Sequence, residues 1–466
     1  MILMQTPVTV LILAAGLGTR MKSKYAKVLH RAGGKSLVEH VVETSLKIAP
    51  PERIFVVTGY QAGQVEAILS STGVRFVRQP EPRGTGHAVA ACREQAASSE
   101  GLVLVLYGDC PLLKPETLSR LIDCQRASSA AVTLISTNLD DPTGYGRILR
   151  NPDGSLAAIV EQKAARPEEL QIREVNPGIY CFRADLLWAH IGEIGTGNPA
   201  GEYYLTDMVH ILRAAGHDAA SVFHEDALEL LGINTRVELA EADRILRART
   251  LRRLMLDGVT IERPETVVVD AQVQIGRDTV VEPFARILGN SVIGEDCRIG
   301  AGAVIEDSTL AGNVQVAPYT VLSNSRLDAD VHVGPFARVR MACHLESGAR
   351  VGNFVEMKKT RFGPSSKAMH LAYLGDSTIG SNVNIGAGTI TCNYDGVAKH
   401  PTLIADGAFV GSNSTLVAPL EIGAGSYIGA GSVITKPVPA DSLAVGRGRQ
   451  VVKEGWARRR RERRAK

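Results

Sequence analysis

Apolar positions along this chain follow two different rhythms. In the first half, Val8–Ala14, Arg53–Thr58, Val74–Arg78 and Leu102–Tyr107 are short apolar runs that read as strands. The segments between them, such as Ser36–Ile48 and Gly86–Ala97, carry apolar residues at helical spacing. This alternation predicts βαβ units, an α/β domain with a mostly parallel, Rossmann-like sheet, and ligands at the carboxyl ends of the strands. Met1–Gly16 is apolar, but the first basic residue is Arg20, so Val8–Leu13 reads as a buried first strand and not as a leader.

A second rhythm takes over near Pro264. Every sixth residue is aliphatic through Val269, Ile275, Val281, Ile287, Ile293, Ile299 and Ile305. The register shifts and resumes at Leu310, Val316, Leu322, again at Leu327, Val333, Val339, and finally from Ile404 to Ile434. Gly often follows the aliphatic, as in Ile293-Gly294 and Ile428-Gly429. Period six predicts a parallel β-helix in which three hexads close one triangular coil and each aliphatic points inward. Val267–Ile434 has room for about nine coils at about 4.8 Å each. The left hand of the coil is taken from resemblance to known hexapeptide prisms. Thr235–Leu256 reads as one long connecting helix with Asn234 as N-cap and Gly258 just beyond its end. The domains expected are therefore residues 1–234, an arm helix over 235–256, and a β-helix with a basic tail over 257–466.

Composition agrees. Among 466 residues only 5% are aromatic and 46 are Gly, which suits narrow layers better than a wide core. The formal net charge of +3 is concentrated at the end, where residues 458–466 hold seven cations and one anion. The remaining body is mildly acidic, so nucleic acid is not an expected partner, and the tail reads as a solvated end. Seven Cys without a Cys-x-x-Cys pair argue against disulfides or a zinc cage and fit the cytoplasm. No run approaches the roughly 20 apolar residues of a membrane helix.

The chemistry of the first half begins where the first strand ends, at Leu13-Ala14-Ala15-Gly16-Leu17-Gly18-Thr19-Arg20, followed by Lys27. A glycine turn there lets backbone N–H groups approach phosphate oxygens, while Arg20 and Lys27 add charge. Alone, the turn is equally well a tight strand–helix connection. The longer string is specific: Gln79, Gly84-Thr85-Gly86-His87, Tyr107-Gly108-Asp109, Gly144-Tyr145-Gly146-Arg147, Glu161-Gln162-Lys163, Asn176-Pro177-Gly178 and Tyr203-Tyr204-Leu205-Thr206-Asp207. It resembles the sugar-nucleotide pyrophosphorylases, which join a nucleoside triphosphate to a sugar 1-phosphate. The resemblance implies that Asp109 and Asn234 bind Mg²⁺. It places Gly16, Lys27, Gln79, Gly84, Thr85 and Tyr107 around UTP, and Gly144, Glu161, Asn176 and Asn234 around the sugar nucleotide. Arg20 is added here as a charge on the leaving pyrophosphate.

In the second half the hexad rhythm is expected to break between Arg338 and Gly396, where charged and amide residues crowd an aliphatic repeat. A polar cluster at one height of a solenoid points to a ligand site. This part resembles the hexapeptide-repeat acyltransferases. The resemblance implies His370 as general base, with Arg340, Lys358, Tyr373 and Asn384 holding glucosamine phosphate. Acetyl-CoA would meet Ala387, Asn393, Tyr394, Ser412, Ala430 and Arg447.

Both halves, in this order, resemble a bacterial bifunctional family, an N-acetylglucosamine-1-phosphate uridylyltransferase fused to a glucosamine-1-phosphate N-acetyltransferase. Acetyl-CoA and UTP are then substrates, Mg²⁺ a cofactor and a homotrimer the expected assembly. Two rival readings, a pyrophosphorylase with a merely oligomerising β-helix and a scaffold with decayed sites, sit badly with the His370–Lys358 and Lys27–Asp109–Asn234 sets.

Overall fold

The structure, a computed structural model, describes residues 6–96 and 100–464. Met1–Gln5 of the apolar N-terminus, Ala97 of the second expected helix and Ala465–Lys466 of the tail lie outside the described residues. The chain divides into two compact units, residues 1–246 and 247–466.

The first unit is built on a ten-stranded mixed sheet. Its parallel half runs Arg75–Arg78, Ile54–Thr58, Val8–Ala14, Leu102–Tyr107. Tyr180–Arg183 joins antiparallel to Leu102–Tyr107 and leads into an antiparallel extension. Val8–Ala14 is buried at every position, as an apolar run covered on both faces requires. The helix over Leu37–Ser45 starts at a capping box, Ser36 with Glu39. The helix expected over Gly86–Ala97 is two short ones, Thr85–Ala90 and Arg93–Ala96. The long helix runs Arg236–Leu256. Its N-terminal bonds are those of a capping box on Thr235, whose Oγ1 accepts from Glu238 N (3.2 Å) while Glu238 Oε2 accepts from Thr235 N (2.9 Å). Asn234 is therefore not the cap. Its side chain is engaged elsewhere.

The second unit is a left-handed parallel β-helix with three faces of 11, 10 and 9 short strands. The helix of residues 236–256 ends in a Schellman motif, with Val259 N donating to Leu254 O (3.0 Å) and Gly258 N to Met255 O (3.2 Å). The first prism strand, Thr260–Ile261, lies earlier than Pro264, and the last is Leu443–Ala444. On the ten-stranded face, Val268–Val269 to Val433–Ile434 makes nine stacking intervals, matching the nine expected coils. The aliphatics of the hexads form one continuous core. The expected register shift at Leu310 is one coil shortened to 17 residues, Ile293 pairing with Leu310.

The rhythm does not break at Arg338. Strands pair without interruption from Arg338–Arg340 through Glu356–Lys358 and Tyr373–Gly375 to Ile390–Cys392. Only the coil from Asn384 to Phe409 departs, 25 residues long, because residues 393–401 leave the prism as a loop. Polar residues at the outward positions cost the core nothing, so they need not disturb the repeat.

Candidate functional site

Two adjoining cavities open at the carboxyl ends of the parallel strands in the first unit. One, of about 320 Å³, is lined by Gly16, Gln79, Gly84, Thr85, Lys27, Tyr107 and Asp109. The other, of about 290 Å³, is lined by Arg20, Gly144, Glu161, Asn176 and Asn234, and shares Lys27, Thr85, Tyr107 and Asp109 with the first. Every residue expected of this site lines one or both.

The shared floor is a charge cluster. Lys27 Nζ is ion-paired with Asp109 Oδ2. Asn234 Oδ1 accepts from Lys27 Nζ (3.0 Å) and from Arg20 Nη2 (2.8 Å). Gly18 sits at φ +66°, and a Cβ there would fall 2.4 Å from Lys27 Cβ, so glycine is needed for the loop to pass so close. A Cβ at Gly178 would lie 2.0 Å from the Tyr107 ring, which packs over that backbone. Burial drives the Tyr107 phenol well up and keeps it neutral. Burial likewise raises the Glu161 carboxyl, against a hydrogen bond from Thr206 Oγ1 (2.9 Å), and the Asp207 and Glu202 carboxylates add to the rise.

The donor set fits a magnesium-like cation. Asp109 and Asn234 present a carboxylate and an amide oxygen, both hard ligands, and both already converge on one ammonium, Lys27. A metal held there by two protein oxygens would take its remaining ligands from water and phosphate.

In the prism, Arg340 and Lys358 are paired in register on one face, with Tyr373 one coil on. Arg340 Nη2 contacts Glu356 Oε1 (2.7 Å). Lys358, 4% exposed, lies 3.5 Å from Asp376 Oδ2, to which Asn393 Nδ2 also donates. His370 is exposed on a neighbouring corner, its Nδ1 at 2.9 Å from Asn353 Oδ1. These two residues end the four-residue strands Arg350–Asn353 and Lys367–His370 and are direct register partners. Asn384 stands on the adjoining face, beside Lys367.

Ala387, Ser412, Ala430 and Arg447 stack along that same corner. Asn413 N donates to Ala387 O (2.7 Å), Gly431 N to Ser412 O (2.8 Å), and Arg447 Nη1 to Ala430 O (2.6 Å). Tyr394 and Asn393 belong to the extruded loop on the other edge of the Lys358 face. One chain therefore displays the residues expected of acetyl transfer divided between two edges of the prism.

Sequence reasoning missed four participants. Lys399 stands on the extruded loop beside Lys358; that cationic neighbour lowers the Lys399 amine, while Lys399 and the Asp376 carboxylate together raise Lys358. Asn353, Asp376 and Thr206 stand within the quoted motifs, yet their roles depend on partners 17, 18 and 45 residues away. No local signal marks them.

Comparison with known proteins gives many relatives over nearly the full chain, among them the following three. "Bifunctional protein GlmU" of Solibacter usitatus is 56% identical over 459 residues, 98% of each chain. Those of Koribacter versatilis and Trichlorobacter lovleyi are 49% and 47% identical, covering 97% of this chain and 96% and 98% of their own. The family described as "MobA-like NTP transferase domain" matches residues 10–173, and "Bacterial transferase hexapeptide (six repeats)" matches 272–307 and 401–436.

Proposed function

The chain belongs to the bifunctional GlmU family, uridylyltransferase and acetyltransferase on one polypeptide, and from that premise we propose how its residues divide the two reactions. Residues 257–466 move an acetyl group from acetyl-CoA to glucosamine 1-phosphate. Residues 1–234, joined by the arm over 235–256, then move a uridylyl group from UTP to N-acetylglucosamine 1-phosphate and release pyrophosphate.

In the uridylyl step a sugar-phosphate oxygen attacks the α-phosphorus of UTP as the bond to pyrophosphate breaks. The nucleophile is already anionic, so the site's task is to align two polyanions and offset charge. Lys27 and Arg20 do this from the floor shared by both cavities. A magnesium ion held by Asp109 and Asn234 would supply further charge neutralisation on the phosphates. Glu161, Gly144 and Asn176 hold the sugar side. The juncture of the two cavities at Lys27 and Asp109 is the observation that carries this reading.

In the acetyl step the glucosamine amine attacks the thioester carbonyl, the C–N bond forms and the C–S bond breaks. Nδ1 of His370 is engaged by Asn353, which leaves Nε2 to take the amine proton. Lys358, Arg340 and Lys399 face the sugar phosphate. Division of the set between two edges of a convex prism supports completion by a neighbouring chain, and we read the assembly as a parallel homotrimer. A cytoplasmic site suits seven free thiols. Among the described residues no helix is long and apolar enough to cross a membrane.

The test is separability. Asp109→Ala should abolish uridylyl transfer and His370→Ala acetyl transfer, the latter by about 10²–10⁴ in kcat. Each variant should keep the other activity, and mixing them should restore UDP-N-acetylglucosamine formation from glucosamine phosphate. A well-folded His370→Ala with near-normal acetyl transfer would refute the base assignment.

A further inference from the structure

Gln79 is 3% exposed and lines the cavity assigned to UTP, directly after the strand Arg75–Arg78. Its amide is held from two sides. Nε2 donates to Gly84 O (3.3 Å) and meets His87 Nδ1 at 2.8 Å. Gly84 and His87 cannot drift, because the loop is tied to Tyr203: Gly86 N donates to Tyr203 O (2.8 Å) and Tyr203 N to Arg83 O (2.9 Å). Gly84 itself is at φ +113°, and a Cβ there would strike Tyr203 O at 2.6 Å.

Two acceptors facing one NH₂ group consume both of its hydrogens. The Gly84 carbonyl, which can only accept, prevents the amide from turning over, and with Nε2 so placed His87 Nδ1 must be the acceptor. The amide is left with a single free polar atom, the acceptor Oε1. A pyrimidine with a hydrogen on N3 satisfies that acceptor. Cytosine, whose N3 is itself an acceptor, would leave it opposed and unpaired, the kind of mismatch that discriminates strongly.

We propose that His87 is a specificity-determining positioning residue: its Nδ1, 2.8 Å from Nε2, fixes the Gln79 amide so that the site selects a base bearing N3–H over cytosine. The proposal rests on the reading of this cavity as the UTP site. His87 touches the amide and not the base, so its effect is on the choice between triphosphates.

The experiment measures kcat/KM for UTP, CTP and TTP with the full-length protein and three variants, each checked for folding by thermal melting. His87→Leu removes the acceptor and should lower the UTP:CTP ratio about tenfold or more, the scale of one hydrogen bond to an oriented group. His87→Asn places an acceptor oxygen near the position of Nδ1 and should retain most of the ratio. Thymine carries the same N3–H, so the UTP:TTP ratio should not move in His87→Leu. An unchanged UTP:CTP ratio in His87→Leu, or equal loss in His87→Asn, overturns the proposal. A parallel fall in UTP:TTP also overturns it, because that is the mark of a loosened pocket. Gln79→Leu separates the two levels. If it collapses the ratio while His87→Leu does not, only the positioning role fails; if it leaves the ratio unchanged, the base-site reading fails as well.

Discussion

Replacing Gly352 by Ala tests whether the coil geometry holds the acetyl-transfer base. Gly352 follows the inward Val351, and a Cβ added there would lie 1.9 Å from Met369 O, 2.6 Å from Met369 C and 2.7 Å from Met369 Cα. All three are backbone atoms of the next coil, so no side chain can swing aside. Restoring ordinary contact requires about 1.5 Å of separation between the strands that end in Asn353 and His370, at an overpacking cost of about 1–3 kcal/mol. The ladder bond from Leu371 N to Asn353 O (3.1 Å) and the His370–Asn353 bond (2.9 Å) span that gap, and each is worth about 1 kcal/mol net. The prism should lose about 3–5 kcal/mol locally. Displacement of His370 by about 1.5 Å should lower acetyl kcat by about 10²-fold or more, since a misplacement of about 1 Å already costs that much. Acetyl transfer is followed by CoA thiol release, with the uridylyl rate of the same sample as reference. Gly294→Ala is the control: its Cβ would lie 2.7 Å from Ala311 C, a milder overlap remote in register from His370. It should cost stability but keep acetyl kcat within about twofold. If Gly352→Ala retains near-normal acetyl kcat, or Gly294→Ala loses as much, the reasoning is wrong.

Excess chelator should stop uridylyl transfer and spare acetyl transfer, because the oxygen donors Asp109 and Asn234 belong to the first unit; equal loss of both rates would contradict this. Glu161→Gln should stabilise the first unit increasingly as pH rises. A carboxyl raised by burial binds its proton more tightly folded than unfolded, so wild-type stability falls as pH climbs from the ordinary value of 4.5 through the raised one. Melting curves from acid to neutral pH should show the variant gaining on the wild type, and a constant gap would rule the cause out. Deleting Arg458–Lys466, exposed wherever it is described, should leave the uridylyl rate unchanged and raise the acetyl-CoA KM only modestly, since charges beyond about 8 Å from a ligand are screened. A large, salt-independent rise would place the tail in the site.

Much of this protein is legible in its sequence. Period six from Val269 to Ile305 dictates a three-sided prism, because each hexad must turn its aliphatic to one axis. Gly after the aliphatic reflects the same geometry: at Gly294, Gly352 and Gly411 a Cβ would strike the backbone of the next coil. The strand ends at Gly16, Asp109 and Asn176 were enough to gather one cavity system. What the tertiary structure alone decided are pairings across coils and between elements. Asn234, which local rules offer as a helix cap, surrenders that role to Thr235 and turns its oxygen to Lys27, 207 residues away. Asn353 meets His370 only because the coil between them is 17 residues long, and Lys399 meets Lys358 only because residues 393–401 leave the prism and fold back. Periodicity is a local property that each short window carries. Which polar side chains come within hydrogen-bonding distance depends on coil length and loop path, and those exist only once the chain has closed upon itself.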